Sequence, residues 1–164
     1  MLVWRIWSSL DIPAFWKLLK VSFSNLTFIL PTIQATNKCL KITEKEFGGK
    51  HHKNNYSNAF RHALWNYLII IKAKGWGNSE KKSLIWAKKI TDFHETLFKN
   101  NPLEKAMDDH NNAVGRYFFL KTKELTEEQK IKALKKLANS SAKISLISEL
   151  KPITLEQLVH LEVI

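Results

Sequence analysis

The sequence contains few residues that interrupt helices or cross-link a chain: five glycines, four prolines and one cysteine among 164 residues. The scarcity of glycine and proline leaves long uninterrupted stretches and favours helices over many short strands. The single Cys39 excludes an intramolecular disulfide, so the fold does not depend on an oxidising compartment. Apolar residues make up 45% of the chain, which excludes a disordered chain of low hydrophobicity.

The sequence also lacks an apolar run of the ~20 residues that a bilayer-spanning helix needs. Residues 1–35 are rich in tryptophan and phenylalanine, but Asp11, Pro13, Lys17 and Lys20 interrupt them. This segment has neither the plain apolar core nor the cleavage site of a secretory signal peptide. We therefore expect a cytoplasmic protein or one at the membrane periphery. Aromatic residues beside lysine suit either packing against the domain or contact with a membrane interface, and the sequence leaves both open.

Acidic residues are outnumbered: 15 Asp and Glu face 26 Lys and Arg, which gives a net charge of +11. Such a charge attracts anionic partners, namely phosphorylated substrates, anionic phospholipids or nucleic acid. The alternative is a lysine-rich surface that only faces solvent. Arginine is scarce, at Arg5, Arg61 and Arg116. Because arginine is the residue that best recognises phosphates and guanines, this scarcity counts against a DNA reader without excluding nucleic acid.

Apolar periodicity and capping residues predict an all-α fold, a single-domain bundle of about six helices spanning residues 1–164. A first helix is expected from Pro13, and the tail at 154–163 is expected to be a helix or a short strand. Asn100-Asn101-Pro102 is predicted to break the chain, and Thr126 with Gln129 forms a capping box in sequence. The other predicted helices cover residues 31–47, 57–74, 78–98, 103–121 and 126–139, and those in 55–121 carry the polar motifs.

Polar side chains form lines on three consecutive helices of this prediction. Residues spaced four apart share one helix face, so each line projects from one side of its helix. Because the surrounding residues are apolar, these polar groups need buried partners on the neighbouring helices. Antiparallel helices with short connections bring such lines together. The lines are Asn58/His62/Asn66, Thr91/Glu95 with His94 beside them, and Asp108/Asn112/Arg116 with Asn111 and Gly115 alongside.

These residue types suit a catalytic centre with a divalent metal ion as its cofactor. Histidine and carboxylates are metal ligands, and the candidates are His94, Glu95, Asp108 and His110. His62 is a candidate general base, to be oriented by a carboxylate. Arg116 suits an anionic group, most naturally phosphate. The predicted catalytic residues are His62, Glu95, Asp108 and Arg116, and the predicted substrate-binding residues are Asn58, Asn66, Asn111 and Asn112.

Each residue also has a purely structural explanation. A histidine on a packed helix is often hydrogen-bonded within the core, and Asp108 near a helix start favours the helix dipole. His94-Glu95 lacks the second histidine four residues after the first that a zincin helix carries. Gly115 in mid-helix costs about 1 kcal/mol relative to alanine, so we expect it to permit close approach of a neighbouring helix or a ligand. His51, His52 and His160 lie outside the three lines.

Three blocks of sequence resemble an uncharacterised bacterial domain family with the pattern NAFRHA-x-WN, HE and MDxHNNxxGR. Here they read NAFRHALWN at 58–66, HE at 94–95 and MDDHNNAVGR at 107–116. The resemblance covers about residues 45–120 and implies a domain of unknown function. Similar domains occur at the ends of large secreted toxin-like proteins, which implies an enzyme acting on an envelope lipid, a cell-wall precursor or nucleic acid. The positions it carries over are His62, Asn66, His94, Glu95, Asp108, Asn111, Asn112 and Arg116.

The leading functional prediction is a metal-dependent hydrolase of a phosphate ester or pyrophosphate. The expected partner is an anionic substrate, with a phospholipid or a phosphorylated envelope precursor as candidates and peripheral contact with a membrane. One alternative is a non-catalytic basic protein that binds anionic membrane or nucleic acid, with the polar lines as a structural network. The other is a nuclease that uses the same residues.

Overall fold

The computed structural model describes residues 25–48, 54–97 and 101–161. These residues form an all-α bundle, which confirms the predicted fold class. The helix expected from Pro13 lies outside the described residues, as do His51, His52 and the predicted end of a helix at Phe98. None of the described helices is long and apolar enough to cross a membrane. The five helices of the described residues are α1 (Leu26–Phe47), α2 (Tyr56–Gly75), α3 (Glu80–Leu97), α4 (Pro102–Lys121) and α5 (Glu127–Asn139).

Helix α2 is the centre of the bundle and packs against α1, α3, α4 and α5. Its sequence is apolar on most of its circumference, so it buries nearly all of its length. A helix that is apolar all round is a core helix, whereas its amphipathic neighbours each turn one face inward. The largest side chains that α2 buries fully are Phe60, Leu64, Leu68, Ile69 and Ile70.

Side-chain caps determine where three of the helices begin. The Asn55 carboxamide accepts hydrogen bonds from the first backbone N–H groups of α2. Asn101 and Glu104 form a reciprocal capping box at the start of α4, where Pro102 occupies the first turn. Thr126 and Gln129 do the same for α5, as their sequence predicts. Because the caps satisfy N–H groups that the helix leaves free, the starts of α2, α4 and α5 lie within one residue of the predicted positions.

Helix α1 begins earlier than the sequence predicts. The prediction of a start at Pro31 is wrong, because α1 begins at Leu26 and contains Pro31. Proline lacks the N–H group that would bond to the carbonyl four residues earlier, which belongs to Thr27. The Asn78 side chain donates a hydrogen bond to that Thr27 oxygen at 3.3 Å instead. A contact from the α2–α3 connection therefore takes the place of the missing helical bond.

The chain after α5 forms two very short strands. β1 (Ala142–Ile144) and β2 (Val159–Leu161) pair in parallel, with Ala142 opposite Val159, and a short 3-10 helix (Ile147–Leu150) lies between them. Of the two alternatives for the tail, the strand is therefore present. β1 was not predicted, since three residues are too short for a periodic pattern. Met107 of α4 packs with these strands in a small second apolar cluster.

The described part of the N-terminal aromatic segment has two apolar faces. Phe28 is buried and stacks on Trp86 of α3, with ring centroids 5.1 Å apart. Leu26, Leu30 and Ile33 lie on the opposite face of α1 and are 65%, 53% and 46% exposed. Residues 25–35 therefore pack against the domain through one face and leave an apolar face on the surface.

Candidate functional site

The polar line of α2 faces α3 and α4 because α2 and α4 cross at very short range. Gly115 lies at the crossing, and a Cβ atom added there would be 2.2 Å from the Ala63 carbonyl oxygen. The predicted close approach is thus to a neighbouring helix. Because His62 adjoins Ala63 in the chain, this crossing brings the imidazole against the polar side chains of α4.

His62 lies between two buried carboxylates. Its Nε2 atom is 3.2 Å from Asp108 Oδ1, and its Nδ1 atom is 3.7 Å from Glu95 Oε1. All three side chains are almost fully buried, with residue exposures of 2% to 4%. One ligand atom from each residue lies within 4.8 Å of the other two. We call His62, Glu95 and Asp108 the carboxylate–histidine cluster.

Asn112 organises one side of this cluster through three hydrogen bonds. Its Oδ1 atom accepts from Asn66 Nδ2 at 2.7 Å and pairs with His62 Nδ1 at 3.2 Å. Its Nδ2 group donates to Glu95 Oε1 at 3.4 Å. Since Asn112 offers His62 only an acceptor, the imidazole carries its proton on Nδ1 and turns a lone pair on Nε2 toward Asp108. Asn58 Nδ2 donates to Asp108 Oδ1 at 3.1 Å on the other side.

Burial dominates the electrostatics of the cluster. Burial and the neighbouring Arg61 charge lower the pKa of His62 to about 3, so its imidazole is neutral at physiological pH. Burial and the Glu95 charge raise the pKa of Asp108 to about 8. Burial also opposes the charge on Glu95, but the hydrogen bond from His94 and the nearby imidazoles hold the pKa of Glu95 below its usual value. The pKa values of the two acids thus shift in opposite directions, chiefly because the hydrogen bond from His94 reaches Glu95.

Arg61 is a site residue that the sequence analysis missed. Its guanidinium donates to Asn58 Oδ1 and approaches His62 Nε2 at 3.2 Å. Arg61 therefore supplies positive charge beside the two carboxylates. Arg61 lies on a different face of an ideal helix from the line Asn58/His62/Asn66, so the i, i+4 spacing did not include it. The available signal was its rarity, since the chain has only three arginines.

His94 lies at the solvent side of Glu95. Its Nδ1 atom is 3.2 Å from Glu95 Oε1, and 35% of its side chain is exposed. The ring packs edge-on against Trp65, with centroids 5.1 Å apart. His94 thus contacts the cluster through Glu95 without forming part of it.

Arg116 connects the cluster to a surface cleft between α3 and α4. Its Nη1 group donates to Asn66 Oδ1 at 2.9 Å, and Asn66 in turn bonds to Asn112. Thr91 Oγ1 also approaches Asn66 Oδ1, at 3.5 Å. The cleft has a volume of about 380 Å³ and is lined by Lys88, Asp92, Thr96, Lys105, Asp109 and Arg116.

Two of the predicted site residues lie away from the cluster. Asn111 is buried, but its amide donates to the Val159 carbonyl at 2.9 Å and its oxygen accepts from the Val159 N–H at 2.9 Å. His110 Nε2 lies 2.9 Å from the Gln157 carbonyl oxygen. These two side chains therefore hold the C-terminal strand against α4 instead of facing Glu95 and Asp108.

The donor set of the cluster fits a divalent cation. Ligands bound to Zn²⁺ at about 2.0–2.2 Å are separated by roughly 3–3.5 Å, so atoms within 4.8 Å of one another need only small side-chain movements. The ligands that the structure brings together include His62, which was predicted as a base, and leave out His94 and His110. A cation held by His62 would need the lone pair on Nε2, which now lies 3.2 Å from both Asp108 Oδ1 and Arg61 Nη2.

Comparison with known families gives one match. The model described as "Domain of unknown function (DUF6973)" matches residues 19–142, which is well over half of the chain. The matched segment contains the whole carboxylate–histidine cluster, His94 and Arg116. No curated protein and no solved structure matches the chain.

Proposed function

The chain belongs to the DUF6973 family, and from the geometry of its site we propose that it is a divalent-metal-dependent hydrolase of a phosphate ester or pyrophosphate. The observation that carries this proposal is the convergence of His62, Glu95 and Asp108 in the interior of the bundle. A neutral imidazole and two carboxylates form a ligand set that suits Zn²⁺, Mn²⁺ or Fe²⁺. Ionising two acids in the core is costly; Arg61 supplies one positive charge beside them, and a bound cation would supply more.

In this proposal His62, Glu95 and Asp108 hold the cation, and His94 moves protons. A divalent ion bound there would supply a water that ionises near neutral pH. In the hydrolysis the water oxygen would bond to phosphorus as the bond from phosphorus to the leaving oxygen breaks. His94 would take the proton from the water and give it to the leaving oxygen. His94 suits this role because its ring is hydrogen-bonded to Glu95 and reaches solvent.

The phosphate in the proposed substrate is supported by charge. The cleft that adjoins the cluster contains Arg116 and two Lys–Asp pairs, which leaves it with a net positive charge, and the whole chain carries a charge of +11. A phosphoryl group attracts cations of this kind both at long range and in contact. A phospholipid substrate is supported in addition by the exposed face of Leu26, Leu30 and Ile33, because leucine and isoleucine on a surface helix suit a lipid interface.

The test is hydrolysis by the purified chain after treatment with a chelator and addition of Mg²⁺, Mn²⁺ or Zn²⁺. The substrates are p-nitrophenyl phosphate, bis-p-nitrophenyl phosphate, pyrophosphate, phosphatidic acid in vesicles, DNA and RNA. We expect ion-dependent turnover of at least one substrate. Glu95→Gln should lower it by more than about 100-fold, since loss even of residues that only orient metal ligands costs about 10–100-fold.

The matched control is Glu128→Gln, which removes an exposed carboxylate paired with Lys132 and should leave turnover unchanged. Absence of ion-dependent turnover on all six substrates contradicts the proposal. Equal activity of the Glu95 and Glu128 variants also contradicts it. In either case the cluster is a structural network in which Arg61 provides the compensating charge.

A further inference from the structure

Arg116 differs from the two lysines of the α3–α4 cleft because it forms no close ion pair there. Lys88 binds Asp92 at 2.5 Å, and Lys105 binds Asp109 at 2.5 Å. Each pair joins residues four apart on one helix, so each lysine holds the carboxylate of its own helix. Among the described residues, no carboxylate oxygen lies within 4.0 Å of the Arg116 guanidinium. Both acids of the cleft are therefore paired with lysines. Burial lowers the pKa of Arg116, and the charges of Asp92 and Asp109 offset this only in part, from more than 4.0 Å away.

The Arg116 guanidinium is nevertheless held in place. It is half-buried, and its Nη1 group donates to Asn66 Oδ1 at 2.9 Å. Asn66 is fully buried and fixed by its own hydrogen bond to Asn112. A guanidinium has five N–H donors, and this bond uses one of them. The planar group is thus oriented from inside the bundle while its other donors remain for a ligand in the cleft.

We infer that Arg116 binds a phosphoryl group in the α3–α4 cleft, as an anion site distinct from the carboxylate–histidine cluster. The two carboxylates of the cleft offset the burial of the Arg116 charge only in part, and the guanidinium fork matches two oxygens of a phosphate. The two Lys–Asp pairs of the cleft cancel in charge, so the net positive charge among the residues that line it is that of Arg116. The inference rests on the proposed function for the identity of the substrate, but the anion site itself requires no metal.

Two side-chain amides, Asn66 and Asn112, lie between Arg116 and the carboxylate–histidine cluster. Asn66 accepts from Arg116 and donates to Asn112, and Asn112 contacts His62 and Glu95. A phosphoryl group on Arg116 therefore lies at the cleft side of this amide pair, and the cluster lies at the other side. If this site belongs to the substrate of the proposed function, Arg116 holds a phosphoryl group other than the one that is hydrolysed at the cluster.

The experiment measures binding of inorganic phosphate by titration calorimetry, with a chelator present throughout. We expect wild-type protein to bind one phosphate per chain, and Arg116→Gln to weaken that binding by about tenfold to a hundredfold, the usual effect of removing one charge-assisted pair. Arg116→Lys keeps the charge and loses the fork, so it should also bind more weakly than wild type. The matched control is Lys132→Gln, which removes one exposed positive charge and should bind phosphate as wild type does.

Circular dichroism shows which variants are folded, and if Arg116→Gln does not fold, the comparison uses Arg116→Lys. A second arm replaces phosphate with phosphatidylcholine vesicles that contain phosphatidic acid, which distinguishes a lipid headgroup from a soluble phosphate as the source. No binding in either arm overturns the inference, and so does equal weakening by Arg116→Gln and Lys132→Gln. Because no metal is present, failure here leaves the metal-dependent hydrolysis untouched, and failure of hydrolysis leaves this anion site untouched.

Discussion

Two adjacent asparagines on α4 have different tasks. Asn112 joins His62, Asn66 and Glu95 within the site. Asn111 points away from them and pairs with the backbone of Val159 as a neighbouring strand would. It donates one hydrogen bond to the Val159 carbonyl and accepts one from the Val159 N–H. Both are buried amides with exposures of 0% and 1%, so burial alone does not separate them. Their partners do, and this difference can be measured.

We predict that Asn111→Ala lowers the free energy of unfolding by about 2–4 kcal/mol, because it leaves a buried N–H and a buried carbonyl of Val159 without partners. Once folded, the variant should bind divalent ions as wild type does. Asn112→Ala should instead weaken ion binding by about 10–100-fold, because His62 and Glu95 lose the group that orients them. Urea denaturation and ion titration measure the two effects. An Asn111 variant with the binding defect of the Asn112 variant would contradict these assignments.

The positions of most site residues could be predicted from spacing alone. Asn58, His62 and Asn66 lie on one buried face because four residues make about one helical turn. Partners could not be predicted in the same way. His110 adjoins Asn111 and Asn112 in the chain, but its partner comes from the tail at Gln157, which no local pattern identifies.

At the scale of elements, the crossing of α2 and α4 depends on Gly115. The backbone of Ala63 occupies the space that any side chain would need, and backbone atoms cannot turn aside as a side-chain end can. The crossing also fixes the separation between His62 on α2 and Asp108 on α4. Stability and site geometry are therefore linked at this one position.

We predict that Gly115→Ala destabilises the protein by about 2 kcal/mol or more, since the cost of forcing a methyl group into a packed contact exceeds the gain of about 1 kcal/mol in helix propensity. It should also weaken ion binding by moving α2 away from α4. The matched control is Gly75→Ala, where an added Cβ meets nothing within 4 Å. That variant should keep the unfolding free energy of wild type to within about 1 kcal/mol. Equal stability of the two variants, measured by urea denaturation, would rule out the tight crossing.

The start of α1 depends on a contact with a distant residue, which the local sequence does not show. Proline usually ends a helix, and the expectation of a new start at Pro31 followed from that preference. The bond from Asn78 to the Thr27 carbonyl joins residues 51 positions apart, so only the folded chain provides it. Capping boxes, in contrast, act within four residues, and for this reason the starts of α4 and α5 were predictable.

For the whole molecule, charge is distributed between an acidic interior site and a basic surface. Glu95 and Asp108 lie buried in the bundle, whereas nearly all of the 26 basic residues are lysines that face solvent or pair on the surface where the structure describes them. Surface pairs such as Lys132–Glu128 contribute little to stability. The long-range field therefore attracts anions. Under the proposed function the interior site would hold a cation, and an enzyme of this kind with an anionic substrate requires both.

The all-α class and the three polar lines followed from composition and periodicity, which are properties of the whole chain. The parallel β1–β2 pair did not, because it depends on a contact between residues 142–144 and 159–161 that no periodic pattern predicts. The sequence predicted His94 and His110 as metal ligands, whereas the structure places His62 beside Glu95 and Asp108. This difference, too, depends on contacts that no periodic pattern predicts. Helix rotation decides which neighbour of a polar line faces inward, and only the packed bundle determines that rotation.

The central claim is that His62, Glu95 and Asp108 form a divalent cation site, and ion titration of the chelator-treated chain tests it most directly. Calorimetry with Mn²⁺ and Zn²⁺ should give one ion per chain for wild type, and the same for Asp92→Asn, which removes a carboxylate paired with Lys88 in the nearby cleft. Asp108→Asn should lose that binding. In chelator, Asp108→Asn should be about as stable as wild type, since burial and the Glu95 charge already favour the uncharged form of Asp108 and asparagine is its neutral isostere. A wild-type chain that binds no ion at millimolar concentrations, or an Asp108 variant that binds as wild type does, would contradict the claim.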